Sequence, residues 1–377
     1  MKEINKSRLT ETFVSLVGID SLSYNERELA DELTLRLKKL GLDVFEDDAG
    51  AKIGGNAGNL FARLPANTPE AAGGGILFSA HMDTVEPGIG KKAVIHEDGT
   101  ITSEGNTVLG ADDAGGIAEI LEALEEVIEE DLPHPTIELF FPVAEEAYCI
   151  GSNAFDLSRV TAESAYFLDR SGEVGSATTS EPSLYKFSVE VEGRASHSGF
   201  SPEEGVNAIL IASRAVSKLP IGRVDSDTTL AIGTIRGGVA TNVVPDYVLA
   251  EGEIRSRSDT RAREMLSVVE QTFNEEALAL GGKAKLFSKK HLNAYNVEAD
   301  SKAMSAYRAV LDDLGIAFAP EDSFGGSDAN AFRAGGIDAI CVANAMHNIH
   351  TVNEYTTISE METVTFTIKK LMTRIQG

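Results

Sequence analysis

Three apolar runs in this chain stop abruptly on acidic or imidazole side chains, and this pattern constrains the fold more than any other feature. Ile76, Leu77 and Phe78 lead into His81, Met82 and Asp83; residues 136–143 (TIELFFPV) lead into Glu145 and Glu146; residues 164–168 end at Asp169. Short continuous apolar runs bounded this way read as strands buried on both faces, as in a parallel sheet covered by helices. Ligands of open α/β sheets bind at the carboxyl ends of the strands. A fourth acidic pair, Asp112–Asp113, lies in a Gly-flanked loop that opens a helix. Each placement has a plainer reading. His81 is either a core histidine beside a turn aspartate or a metal ligand, with Asp83 on the same side of the extended chain and able to accept the other ring N–H. Asp112 and Asp113 either cap their helix or face a metal. Adjacent carboxylates at 145–146 repel and are costly to bury, unless cations meet them.

The remaining chain supplies the frame. Leu9, Phe13, Leu16 and Val17 have helical spacing. Ser23–x–x–Glu26 reads as a capping box ahead of Leu29, Leu33, Leu37 and Leu40, and Gly41 ends that helix. Residues 42–45 and 59–64 read as strands. Gly73–Gly74–Gly75 precedes a strand, so it is no phosphate loop. After Asp113, Ile117, Ile120, Leu121, Leu124, Val127 and Ile128 form one helix face, and Glu119, Glu122, Glu125, Glu126, Glu129 and Glu130 read as a solvated one. From residue 183 the texture changes to alternation, and the strand–helix order to residue 287 is β-α-β-β-α-β, a ferredoxin-like layer. The predicted organisation is a catalytic domain of residues 1–181 plus 293–377 with an insert at 182–292. Within the insert, His197 lies in a loop of small residues. Beyond it come a helix at 301–314, a helix opened by residues 324–330 (FGGSDAN) and an apolar strand at 338–343. His347 and His350 follow, and Ser359–x–x–Glu362 caps a last helix facing inward with Met361, Val364, Ile368, Leu371, Met372 and Ile375.

The length of 377 residues favours two domains or one with a large insertion. A formal net charge of −26 argues against nucleic-acid and anionic-membrane partners. Two cysteines, Cys149 and Cys341, imply no disulfide framework. The start lacks a signal-peptide apolar core, and no run reaches the ~18 apolar residues of a membrane span. A cytoplasmic location is expected.

His81, Asp112, Glu145, Glu146, Asp169 and His350 together carry chemistry. Two imidazoles plus carboxylates suit Zn²⁺, with Mn²⁺ or Co²⁺ as alternatives. Six such residues exceed one tetrahedral site but suit two metals about 4 Å apart sharing a carboxylate. One glutamate then remains as general base. The segments HMDTVEPG, GADDAGG, AEEAYCIGS, FLDRSGEVG, GRASHSG and MHNIHTVNE, in that order, resemble the M20 family of co-catalytic zinc peptidases, most of all its peptidase T (tripeptide aminopeptidase) branch. The resemblance spans essentially the whole chain. It implies a zinc-exopeptidase-like mixed α/β sheet flanked by helices, with the ferredoxin-like α+β insert as lid and dimerisation domain. It implies two zinc ions per subunit: His81 and Asp169 on one, Glu146 and His350 on the other, Asp112 bridging. Asp83 would orient His81, Glu145 would be the general base, and His197 would reach the active site of the partner in a homodimer. Arg255 and Asn242 match substrate-contacting positions. The implied substrate is a short peptide. The alternatives are an M20-type carboxypeptidase or N-acyl amino-acid amidohydrolase and, more remotely, a non-catalytic metal-binding scaffold. Three places depart from the family pattern: Ala114 stands where Lys is common, Phe324 where peptidase T has Arg, and residues 147–152 (AYCIGS) differ from the branch.

Overall fold

A computed structural model describes residues 3–69 and 74–374; Gly73 and Ile375 lie outside them. The chain divides into two compact units. Residues 1–179, 297–323 and 327–377 form one; residues 180–296 with 324–326 form the other.

The first unit is built on a mixed sheet. Its strands run Asp43–Glu46, Leu60–Leu64, Ile137–Phe141, Gly75–Ser79, Ala162–Arg170 and Asp338–Ala343 in spatial order. The last four are mutually parallel, and the first two pair antiparallel. All five residues of Ile137–Phe141 are buried, as the apolar run predicts. Phe78 stacks on Tyr166, ring centroids 5.4 Å apart; burying such a ring contributes about 1.5–3 kcal/mol. The parallel direction brings the carboxyl ends of Gly75–Ser79, Ile137–Phe141, Ala162–Arg170 and Asp338–Ala343 to one edge, where His81, Glu145, Asp169 and Asn344 follow or close each strand. Helices Lys6–Val17 and Ile358–Met372 pack against the helix Ala111–Glu129. A separate small sheet joins Ala93–Ile95, Thr100–Ser103 and Tyr355–Thr357.

The second unit is a five-stranded antiparallel sheet in the order Gly222–Asp225, Thr228–Gly237, Tyr247–Ser256, Ser183–Glu192 and Lys283–Leu292. Helices Ala208–Lys218 and Asp259–Leu280 cover it, closing a core of Phe187, Val189, Val191, Ile211, Val269 and Phe273. The β-α-β-β-α-β order holds, with Gly222–Asp225 as an added edge strand.

Four local expectations are corrected. Ser23 does not cap the Arg27–Lys39 helix: no side chain does, and its hydroxyl donates instead to Asp83 Oδ2 at 2.6 Å. That charge-assisted bond to a buried carboxylate engages the side chain in place of the helix-end N–H groups its oxygen would have accepted from. Thr357, not Ser359, caps the last helix, accepting from the Glu360 N–H. Asp112 and Asp113 both leave helical dihedrals, and only Asp113 acts as a cap, accepting from the Gly116 N–H at 3.2 Å. Finally, the glutamate face is only partly solvated. Glu119, Glu122 and Glu126 are buried, because the two helices packed on that face bring Arg8 and Lys369 to it.

Candidate metal centre

His81 leaves its strand with the backbone N–H bonded to Asp113 Oδ2 at 3.0 Å. Its Nδ1 lies 2.9 Å from the Asp83 backbone oxygen and 3.5 Å from Asp83 Oδ1. The backbone carbonyl, rather than the carboxylate, is therefore the nearer partner of Nδ1. The Asp83 carboxylate does other work. It accepts the N–H groups of Glu145 (2.8 Å) and Glu146 (3.1 Å) and so orients the acidic pair.

Asp112 sits between two imidazoles. Oδ1 is 2.9 Å from His81 Nε2, and Oδ2 is 3.0 Å from His350 Nε2. His350 Nε2 is also 2.9 Å from Glu146 Oε1, and Asp169 Oδ1 is 3.9 Å from His81 Nε2. Three triads have ligand atoms within 4.8 Å of one another: His81–Asp112–Asp169, His81–Glu145–Glu146 and Asp112–Glu146–His350. All six residues of the sequence-derived constellation thus fall in one cluster.

Charge is the test of whether this cluster fits metal ions. Burial pushes the carboxyls of Asp169, Glu145 and Glu146 above their ordinary range. Burial also opposes the Asp112 carboxylate, but hydrogen bonds from His350 and His81 outweigh it and hold that group low. Contacts with Asp112 and Glu146 raise His350 to about 10. Among the described residues no Lys or Arg is hydrogen-bonded to Asp112, Glu145, Glu146 or Asp169. The positive charge facing these four acids sits on the two raised imidazoles, and divalent cations with N and O ligands would take its place. The donor set fits.

Several supports were not evident in the sequence. Glu354 accepts the N–H groups of Gly110 (2.7 Å) and Asp112 (2.9 Å), shaping the turn that presents Asp112. Asn344 donates to Asp113 at 2.5 Å. Gly116 is obligatory because a Cβ there would lie 2.5 Å from Asp113 Oδ1. The only signal was position: Asn344 follows an apolar strand, and Glu354 closes the segment containing His350.

In the second unit His197 is exposed, and its Nδ1 accepts the N–H groups of Gly199 and Phe200, both at 3.1 Å. Nε2 therefore carries the proton and is a donor. Arg255 bonds Glu253 Oε1 (2.8 Å) and the Phe324 carbonyl (3.1 Å). The Asn242 backbone oxygen accepts from Ser198. Phe324 is flanked by Arg223 and Arg257, with guanidinium carbons 3.8 and 4.9 Å from its ring centroid.

A mixed α/β unit that gathers histidines and carboxylates at its strand ends, joined to an α+β insert, defines a metallopeptidase architecture. Residues 179–280 match the family model of the peptidase dimerisation domain, and residues 59–185 match that of peptidase family M28. The chain is 37% identical over 358 residues, 95% of each sequence, to the uncharacterized protein YqjE of Bacillus subtilis. It superposes on aminopeptidase PepT of Bacillus cereus with a TM-score of 0.91 and 36% identity, covering 98% of both chains. A tripeptidase of Staphylococcus aureus gives a TM-score of 0.94 and 33% identity, with 99% of both chains covered. The chain belongs to the M20 peptidase family, in its peptidase T-like branch. It is a metallopeptidase, a hydrolase acting on peptide bonds.

Proposed function

We propose that the protein is a cytoplasmic di-zinc exopeptidase that removes the amino-terminal residue from short peptides, tripeptides foremost. The observation that carries this is Asp112, with one oxygen on His81 and the other on His350, the placement a bridging carboxylate requires. His81, Asp112 and Asp169 would hold one ion; Asp112, Glu146 and His350 would hold the other. Mn²⁺ or Co²⁺ would suit the same donors. When bound, the ions supply Lewis acidity that makes a water nucleophilic near neutral pH and polarises the scissile carbonyl.

The protein groups do the rest. Glu145 takes the proton of the attacking water and returns it to the leaving amine. Asp83 orients the acidic pair through two backbone N–H groups. His197 of a neighbouring copy donates through Nε2 to the developing oxyanion. Arg255 and Asn242 hold the substrate. The insert, residues 182–292, is both the homodimer contact and a closing lid on the catalytic domain of residues 1–181 and 293–377; the match to a dimerisation-domain model supports the homodimer contact.

The test is a panel of free and N-acylated di- and tripeptides, with metal analysis before and after chelation. Cleavage that requires a free amino terminus is expected. Cleavage confined to N-acylated substrates would sink the aminopeptidase reading in favour of an amidohydrolase. Glu145→Ala should abolish turnover with metal content intact, and surviving activity would remove Glu145 from the base role.

A further inference from the structure

A buried cluster adjoins Glu145. Cys149 donates its thiol hydrogen to Glu145 Oε1 across 3.0 Å. Beside it burial pushes the Asp328 carboxyl up to about 7, partly offset by a hydrogen bond from Ser152. Cys149, Ser152 and Asp328 are each at least 98% buried, and Asp328 Oδ1 has no hydrogen-bond partner among the described residues. The mechanism above uses none of the three.

The backbone here is fixed independently of the thiol. Asn59 accepts the Val143 N–H at 3.0 Å and donates to the Gly151 oxygen at 2.9 Å, tying both ends of the loop. The Cys149 N–H closes the turn onto the Glu145 oxygen at 2.6 Å. Cys149 itself takes a left-handed conformation, φ 53°, which an L residue adopts only when its surroundings compensate. What the backbone leaves undetermined is the Glu145 carboxylate, at the end of three rotatable bonds. A general base must sit within about 2.6–3.2 Å of the proton it takes. One of its oxygens is engaged by the thiol, which leaves the other for the water.

We infer that Cys149 is a positioning residue for the reaction: its S–H locks the rotamer of Glu145. This rests on the assignment of Glu145 as base. Burial and the nearby Glu145 and Asp328 charges push the thiol well above its ordinary range, so it remains a donor at working pH.

The test compares Cys149→Ala and Cys149→Ser in the full-length, metal-loaded enzyme. Alanine should lower kcat about tenfold with KM within about twofold and metal content unchanged. Serine should restore most of the loss, because it keeps the donor. Equal losses in both variants, or no loss in alanine, would overturn the inference. An independent readout is the infrared S–H stretch. The chain has two cysteines, so Cys341 serves as the internal reference. The Cys149 band should move to higher frequency in Glu145→Ala; an unmoved band would refute the contact even in a preparation that cleaves no peptide. A wild type without peptidase activity would overturn the proposed function instead, which keeps the two failures distinct.

Discussion

The two ends of one helix, Ala111–Glu129, bury acid in opposite ways. Toward its carboxyl end every deep glutamate but one has a cation. Arg8 forks onto Glu122 at 2.7 and 2.8 Å and reaches Glu129 at 2.7 Å. Lys369, its side chain fully buried, lies between Glu126 at 2.5 Å and Glu130 at 2.6 Å. At the amino end Asp112 meets two imidazoles, with Asp169 and Glu146 crowded nearby. Where acid serves packing, the chain brings its own lysine or arginine. At the candidate metal site, among the described residues, no lysine or arginine meets the acids. The difference separates the two sets of carboxylates more sharply than burial does, since both are buried.

The largest expected effect breaks the catalytic end. Asp112→Ala should lose one metal site and lower kcat/KM by roughly a thousandfold or more, because a metal's charge stabilisation is worth several kcal/mol. Lys369→Met should do the reverse. Removing one partner of a buried ion pair costs about 3–5 kcal/mol, read from the urea midpoint, with metal content and kcat unchanged. Adding Glu126→Gln should recover part of that loss, because the amide oxygen still accepts the Asn5 N–H that Glu126 holds at 2.8 Å. If Lys369→Met instead released metal, the two ends would not be separable.

Sequence reading gathered the residues of the candidate metal site better than it read the other end of the helix. His81, Glu145 and Asp169 announce themselves because each follows an apolar run. The glutamate face could not be read, since helical periodicity assigns acids outward and their partners lie 114 and 243 positions away. Ser23–x–x–Glu26 failed for the same reason: the local pattern is a capping box, but Asp83, 60 residues on, takes the hydroxyl. Strands of three or four residues such as Ala93–Ile95 and Thr100–Ser103 are too short to show alternation. In the insert, Ser183–Glu192 alternates from Tyr185 onward and was legible. The added strand Gly222–Asp225 was not.

Glu26 is a smaller test on the catalytic side. Burial first, and then the Asp83 charge, raise its carboxyl from 4.5 to about 7. The folded state therefore binds the proton more tightly than the unfolded one, and stability falls as pH rises from about 4.5 to about 7. Glu26→Gln keeps the acceptor for the Tyr24 and Ala144 N–H groups and removes the charge. The variant should match wild type near the lower limit of that window and exceed it above the upper limit by at most about 3 kcal/mol. Parallel stability curves for the two proteins would exclude this carboxyl as the source.

Glu119 is the exception on the structural end and gives the finest test. It is fully buried, and neither oxygen has a hydrogen-bond partner among the described residues. Burial, with Asp113 and Glu360 adding like charge, pushes its carboxyl well up, so the folded protein holds it protonated. Glu119→Gln replaces one neutral group by another of equal size and should change stability near neutral pH by less than about 1 kcal/mol. Glu122→Gln, of the same size and on the same face, strips an acid from Arg8 and should cost more, about 1.5–3 kcal/mol for a charged hydrogen bond. Equal costs at the two positions would mean that Glu119 is ionised and paired in solution, and that this end of the helix admits no exception to its own rule.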